Sequence, residues 1–295
     1  MTDKQGLSFS NVAAKLRGLA LALVTAGAPT LALADLPGST AEGAYLALGD
    51  SVVFGFITQS GYAFTNDKNF IGYPSYVGGD LRLEVANASC AGETTGGFIS
   101  PTAPDNGCRG YRANFPLHVA NSSTQMAYAL NYLATNKKTR LVSISLGAND
   151  AFLLQAACGG NPACIQAGLP ATLGAVYANM SASLSALRAT GYRGVLMVVN
   201  YYSVDYTDAA NTGVAMAINQ TLANAAAANS AVVADAFSAF QAAAAVAGGK
   251  TCAAGLLNPN PANQWVCDVH PSQSGQLLLA GAVKSAYALA ARGRN

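Results

Sequence analysis

Tyr45-Leu46-Ala47-Leu48-Gly49-Asp50-Ser51 is the stretch on which the fold reading turns. The apolar run reads as a buried strand, and Gly49 allows the backbone to turn sharply at its end. The Ser51 hydroxyl then stands just past the strand. In a parallel α/β sheet this is the crevice outside the carboxyl ends of the strands, where such folds place their ligands. By itself Gly-Asp-Ser is an ordinary turn, so its weight depends on what else reaches the same edge.

Four more runs share the character of 45–49: residues 83–89, 141–147, 194–201 and 231–237. The third and fourth of the five are nearly continuous in Val, Leu, Ile and Ala, as strands buried on both faces should be. Helical spacing separates them: Met126-Leu130-Leu133, Val176-Met180-Leu184-Leu187 and Val214-Ile218-Leu222 each mark one helix face. A final helix is expected over about 275–291. Alternating strands and helices of this length predict a doubly wound α/β layer. The Ala-rich stretches 225–228 and 242–245 read as close-packed helix faces. Residues 96–123, rich in Gly, Pro, Asn and Ser, read as a long extended loop with a functional role.

The first 34 residues read as a segment outside this fold. A basic start (Lys4, Lys15, Arg17) precedes the apolar run 19–31, and Ala32-Leu33-Ala34 supplies a small-x-small cleavage signal. This pattern predicts a secretory signal peptide over 1–34 and a single folded domain over 35–295. The alternative, a membrane anchor, is disfavoured because Gly and Pro interrupt a run shorter than the ~20 apolar residues a span needs. Lys4, Lys15 and Arg17 against Asp3 account for the whole formal charge of +2. The remaining chain is neutral, which gives no electrostatic reason to expect nucleic acid as a partner. All six cysteines lie after residue 34, and an even number in an exported chain reads as three disulfides. The simplest pairing joins neighbours: Cys90 with Cys108, Cys158 with Cys164, and Cys252 with Cys267. Zinc is a poor alternative, since no Cys-x-x-Cys exists and only two histidines are present.

Each of the first three strands ends in residues suited to acyl transfer. Ser51, a candidate nucleophile, follows the first. Gly92, whose amide no side chain can block, follows the second. Gly147-Ala148-Asn149-Asp150 follows the third and brings a side-chain amide to the same edge. A hydroxyl is a weak nucleophile without a base, and the choice lies between His118 and His270. His270, in Cys267-Asp268-Val269-His270-Pro271, comes after the last strand and before the final helix, where the chain returns to the carboxyl edge. His118 lies among apolar neighbours in the long loop and reads as a structural or rim residue. Asp50 and Asp150 read as carboxylates that orient their loops.

In this order these blocks resemble the SGNH hydrolases, the GDSL family of esterases and lipases. The resemblance spans the chain from Gly49-Asp50-Ser51 through Gly92 and Gly147-x-Asn149-Asp150 to Asp268-x-His270-Pro271. It implies a three-layer α/β/α sandwich around a five-stranded parallel sheet, flavodoxin-like in order. It also implies Ser51 as nucleophile, His270 as base, and an oxyanion hole from the Ser51 and Gly92 amides and the Asn149 side chain. The implied activity is hydrolysis of carboxylic esters, either lipids or short and medium acyl esters, by a secreted monomer without cofactor, metal or stable membrane insertion.

One departure stands out. The family usually places its acid three residues before the histidine, where this chain has Cys267; the aspartate is Asp268, two before His270. Either Asp268 or a backbone carbonyl of Cys267 or Asp268 is left to orient the imidazole. Aromatic residues such as Phe54, Phe56, Tyr62, Tyr73, Phe98, Tyr201, Tyr202 and Tyr206 are candidates for an acyl pocket, against their plainer reading as core. Carbohydrate acetyl-ester cleavage and acyl transfer to another acceptor would use the same machinery. A noncatalytic binding protein on an esterase scaffold is the rival from another class. Gly-x-Ser-x-Gly, His-Glu-x-x-His and Gly-x-Gly-x-x-Gly are all absent, which disfavours the nucleophile-elbow hydrolases, zinc proteases and dinucleotide enzymes.

Overall fold

A computed structural model describes residues 41–58, 63–260 and 263–293. The segment read as a signal peptide, and Tyr62, lie outside the described residues. Five parallel strands form one sheet: β1 (Gly43–Gly49), β2 (Leu83–Asn87), β3 (Thr139–Ser145), β4 (Val195–Val199) and β5 (Val232–Ala234), in the order β2-β1-β3-β4-β5. Every residue of β1 and β4 is buried, because helices cover both faces. On one side Tyr73–Leu81, Ala236–Ala244 and Gln273–Arg292 pack together; on the other lie Gln125–Thr135, Pro162–Ala189 and Ala209–Ala228. This is the expected three-layer α/β/α sandwich. The strand order reverses at β1, with β2 on one side and β3 on the other, and a ligand crevice belongs at such a reversal.

The five strands and four helices fall where the sequence placed them, with shifted ends. The fifth strand stops at Ala234 because the Asp235 carboxylate accepts from the Ser238 N–H at 3.1 Å and starts the next helix. The alanine stretches do pack closely, with Ala225, Ala226 and Ala244 buried. The long loop over 96–123 is not wholly extended. It contains the short helices Thr95–Ile99 and Cys108–Asn114, the first capped by Thr94 Oγ1, which accepts from the Gly97 N–H at 2.9 Å.

An antiparallel pair, β6 (Leu257–Asn260) with β7 (Asn263–Pro271), was not legible as strands and carries the Asp268–His270 segment. All three neighbour-to-neighbour disulfides are present: Cys90–Cys108, Cys158–Cys164 and Cys252–Cys267. Among the described residues no helix is long and apolar enough to cross a membrane.

Candidate active site

Ser51 opens a single helical turn, Ser51–Phe54, directly after β1. Gly49 makes that entry possible. Its φ of +148° is strained for any side chain, and a Cβ there would lie 2.5 Å from the Ser145 carbonyl oxygen. Asp50 caps the turn: its Oδ1 accepts from the Val52 N–H at 2.9 Å. Its Oδ2 accepts from the Tyr201 hydroxyl at 2.5 Å and faces Asn149 Nδ2 at 3.5 Å. Burial pushes the Asp50 carboxyl up to about 6, against the hydrogen bonds from Tyr201 and Val52 and the attraction of His270. The far side of the turn is clamped by Gln276, which donates to the Val52 carbonyl at 3.0 Å and accepts from the Tyr73 N–H at 2.7 Å.

A second buried amide holds the turn from behind. Gln125 accepts from the Gly49 N–H at 2.9 Å and donates to the Gly49 carbonyl at 2.8 Å. The same Nε2 donates to Glu93 Oε2 at 3.1 Å. Burial pushes the Glu93 carboxyl up to about 7, although Gln125 and the charge of Arg112 pull it down.

Gly92 and Asn149 sit at the ends of β2 and β3, on either side of β1. Gly92 has φ +82°, and a Cβ would meet the Asn106 carbonyl oxygen at 2.3 Å. Asn149 is buried at the start of the helix Ala148–Ala157. Its Nδ2 donates to the Glu93 carbonyl at 3.0 Å, and its Oδ1 accepts from Asn106 Nδ2 at 2.8 Å. Asp150 ties these two loops together, accepting from the Thr95 N–H at 3.0 Å and the Thr95 hydroxyl at 2.7 Å. Asp50 and Asp150 thus contact backbone amides and hydroxyls, as their sequence reading has them.

His270 and Asp268 lie on β7, which packs against the Ser51–Phe54 turn. The strand bulges between Cys267 and Pro271, and there the spacing that departs from the family pattern still brings the pair together: Asp268 Oδ2 lies 3.4 Å from His270 Nδ1. The Thr58 hydroxyl donates to the same Oδ2 and lies 3.4 Å from Nδ1. Asp268 Oδ1 accepts from the His270 backbone N–H at 2.6 Å. Partial burial pushes the Asp268 carboxyl up, but the hydrogen bonds from His270 and Thr58 and the attraction of the imidazole outweigh it and hold the group below the ordinary carboxylate range. Between the two residues, the Val269 carbonyl accepts from the Tyr202 hydroxyl at 2.5 Å, and Cys267 is disulfide-bonded to Cys252.

His118 stands apart from this pair. Its Nε2 donates to the Phe54 carbonyl at 2.9 Å, its Nδ1 lies 3.4 Å from Asp67, and its ring packs 4.4 Å from Phe54. It props the end of the Ser51–Phe54 turn. Among the candidate pocket aromatics, Tyr73 and Phe98 are fully buried core residues. Phe54 belongs to a separate aromatic cluster with Phe70 and Tyr111, against which Phe56, Phe64 and Phe115 pack. The Phe56 ring also lies 5.0 Å from the His270 ring, so this cluster abuts the site.

Asn106, Thr58, Gln125 and Glu93 were missed by sequence reasoning, and Tyr201, read there only as a candidate for an acyl pocket, was missed as the partner of Asp50. Only Tyr201 carried a usable signal, since it follows β4 at the carboxyl edge where the other strand-end residues were found.

The fold has known counterparts. The phospholipase A1 of Streptomyces albidoflavus is 19% identical, with 83% of this chain and 100% of that chain covered and a TM-score of 0.56. The extracellular lipase of Streptomyces rimosus is 18% identical, with 83% and 99% covered and a TM-score of 0.56. A lipase from a goat rumen metagenome is 16% identical, with 83% and 97% covered and a TM-score of 0.50. No curated protein matches by sequence. The model of the GDSL-like Lipase/Acylhydrolase family matches residues 47–278, which run from β1 through the Ser51 turn and the Asp268–His270 strand into the last helix, and the chain therefore belongs to that family.

Proposed function

We propose that the protein is a secreted serine esterase or lipase that hydrolyses carboxylic esters through an acyl-enzyme on Ser51. One observation carries this reading: the strand bearing the His270–Asp268 pair packs against the turn that opens with Ser51, at the sheet edge that also holds Gly92 and Asn149. His270 presents Nδ1 to Asp268, which fixes the tautomer with its proton there and leaves Nε2 as the base. Nε2 takes the Ser51 proton as Oγ attacks the ester carbonyl carbon. The tetrahedral oxyanion is met by the Ser51 and Gly92 amides and by Asn149 Nδ2. That nitrogen has two protons: one is committed to the Glu93 carbonyl, and the other, set over a 3.5 Å contact with Asp50, is the one offered to the oxyanion. Collapse returns the proton from His270 to the leaving alcohol. Water then attacks the acyl-enzyme by the same route and frees the acid and the serine.

The depressed Asp268 carboxyl supports this role, since it stays ionised and stabilises the imidazolium formed during attack. The aromatic cluster against Phe56 and His270 supports an acyl group, a lipid or a short or medium chain, as the part of the substrate recognised. Export rests on the signal-like residues 1–34 and agrees with three disulfides.

Hydrolysis of p-nitrophenyl esters from acetyl to palmitoyl, with a phospholipid and an acetylated sugar alongside, tests the reading. Hydrolysis is expected along the acyl series, and Ser51→Ala should lower it by about 10⁴-fold or more. Activity untouched by Ser51→Ala refutes the nucleophile. Turnover of the acetylated sugar alone would refute the lipid or medium-chain assignment.

A further inference from the structure

We propose that Asn106 is a positioning residue for the oxyanion hole, holding two of its three donors in register from a loop secured by the Cys90–Cys108 disulfide. The proposal rests on the serine-esterase reading above.

Asn149 carries the difficulty that motivates it. A side-chain amide is nearly symmetrical in shape, yet its two ends have opposite hydrogen-bonding character. It stabilises an oxyanion only with Nδ2 toward the crevice; rotated by half a turn, it would present a repelling carbonyl. Two acceptors, the Glu93 carbonyl at 3.0 Å and Asp50 Oδ2 at 3.5 Å, attract Nδ2. The opposite end needs a donor, and Asn106 Nδ2 supplies it to Oδ1 at 2.8 Å.

The Asn106 backbone acts on the other donor loop. Its N–H donates to the Gly92 carbonyl at 2.8 Å, and its own carbonyl fills the space where a Gly92 side chain would stand. A single residue therefore touches both Gly92 and Asn149. Asn106 is itself exposed, so neither contact is explained by a place in the core.

The loop that presents it is held at several points. Cys108, two residues on, is disulfide-bonded to Cys90, whose N–H donates to the Gly49 carbonyl at 3.0 Å. Thr94 donates to the Pro104 carbonyl at 2.7 Å, and Asp105 Oδ1 accepts from the Gly107 N–H at 2.8 Å. The segment between the second and third strands, with its many Gly, Pro and Asn residues, thus carries Asn106 to the rim of the site and holds it there.

Asn106→Asp and Asn106→Ala test this by steady-state ester hydrolysis, each alone and in an Asn149→Ala background. Both keep the backbone bond to Gly92. Asn106→Ala removes one neutral hydrogen bond and should lower kcat by about tenfold. Asn106→Asp replaces the donor with an acceptor, which draws Asn149 Nδ2 away from the crevice. That variant should lose about 10²-fold in kcat, the scale of a lost oxyanion donor, with KM and the unfolding temperature nearly unchanged. In the Asn149→Ala background neither change should lower kcat further. A wild-type kcat in Asn106→Asp overturns the proposal. So does an equal loss in both backgrounds, which would mark a through-space charge effect. An enzyme that depends on Ser51 but is indifferent to Asn106 overturns this proposal alone; hydrolysis that survives Ser51→Ala overturns the serine reading as well.

Discussion

Glu93→Gln should abolish a specific loss of stability at neutral pH. The Glu93 carboxyl is buried behind the Ser51–Phe54 turn, and burial raises it from 4.5 to about 7. Between those values the folded protein keeps a proton that the unfolded chain has released. Stability then falls as pH rises. The contribution of the neutral carboxyl is complete below pH 4.5 and is gone once pH has risen through about 7. At about 1.4 kcal/mol per pH unit, the gap amounts to about 3 kcal/mol. Glutamine keeps an acceptor for Gln125 and cannot ionise, so its variant lacks this decline. Whatever fixed offset the new amide introduces, the stability of Glu93→Gln relative to the wild type should rise by about 3 kcal/mol between pH 4.5 and pH 8. For a domain of this size that corresponds to a relative gain of roughly 6–12 °C in unfolding temperature. Urea unfolding followed by circular dichroism at half-unit pH steps measures it. Asp50 and Asp150 are also raised by burial, but both are present in each protein and cancel in the difference. Parallel curves for the two proteins across this range would refute the burial of a protonated Glu93.

Two further outcomes follow from the same site. Tyr201→Phe removes a donor that favours ionised Asp50, so the Asp50 carboxyl should hold its proton to higher pH, by about one pH unit in a carboxyl NMR titration; an unmoved titration would show that the Tyr201 hydroxyl does not stabilise the Asp50 carboxylate. Selective loss of the Cys252–Cys267 bridge, through serine at both positions, should lower activity while the far-ultraviolet signal is still native, because the bridge anchors the strand that carries His270. Activity and folded signal that fall together in a denaturant titration would instead give the bridge a purely global role.

Much of this site was legible because strand ends are. Continuous apolar runs betray strands buried on both faces, and the residues after such runs must gather along one edge. That logic located Ser51, Gly92 and Asn149 from residue order and pattern alone. It fails for Gln125, Asn106 and Thr58, whose partners lie 76, 43 and 210 residues away in sequence. A buried glutamine reads as any polar residue at a helix start, and an asparagine in a Gly- and Pro-rich loop reads as turn chemistry. Their roles come from tertiary proximity, which hydropathy does not encode. The hairpin was hidden for another reason. Leu257-Asn258-Pro259-Asn260 has loop composition, and only pairing with β7, helped by the disulfide to Cys267, makes it a strand.

The same hairpin accounts for the shortened Asp268-x-His270 spacing. Between the pairs Pro259–Cys267 and Leu257–Pro271, β6 advances by two residues and β7 by four, so β7 bulges there, and within the bulge the Asp268 carboxylate reaches both the His270 N–H and the His270 ring. Val269 is exposed, and its carbonyl is fixed by Tyr202. Spacing and conformation therefore vary together, and neither can be corrected alone. An alanine inserted between Val269 and His270 would restore the usual family spacing and should nonetheless inactivate this enzyme. With His270 held by the following helix, the insertion adds a residue to the bulge and moves the Asp268 carboxylate away from the His270 N–H and ring that it now reaches. The loss should approach that of Asp268→Ala, about 10³–10⁴-fold in kcat by analogy with the removal of a triad acid. An insertion variant that retains wild-type turnover would show that the carboxylate reaches the imidazole without the strand, and the conformational account of the shortened spacing would fall.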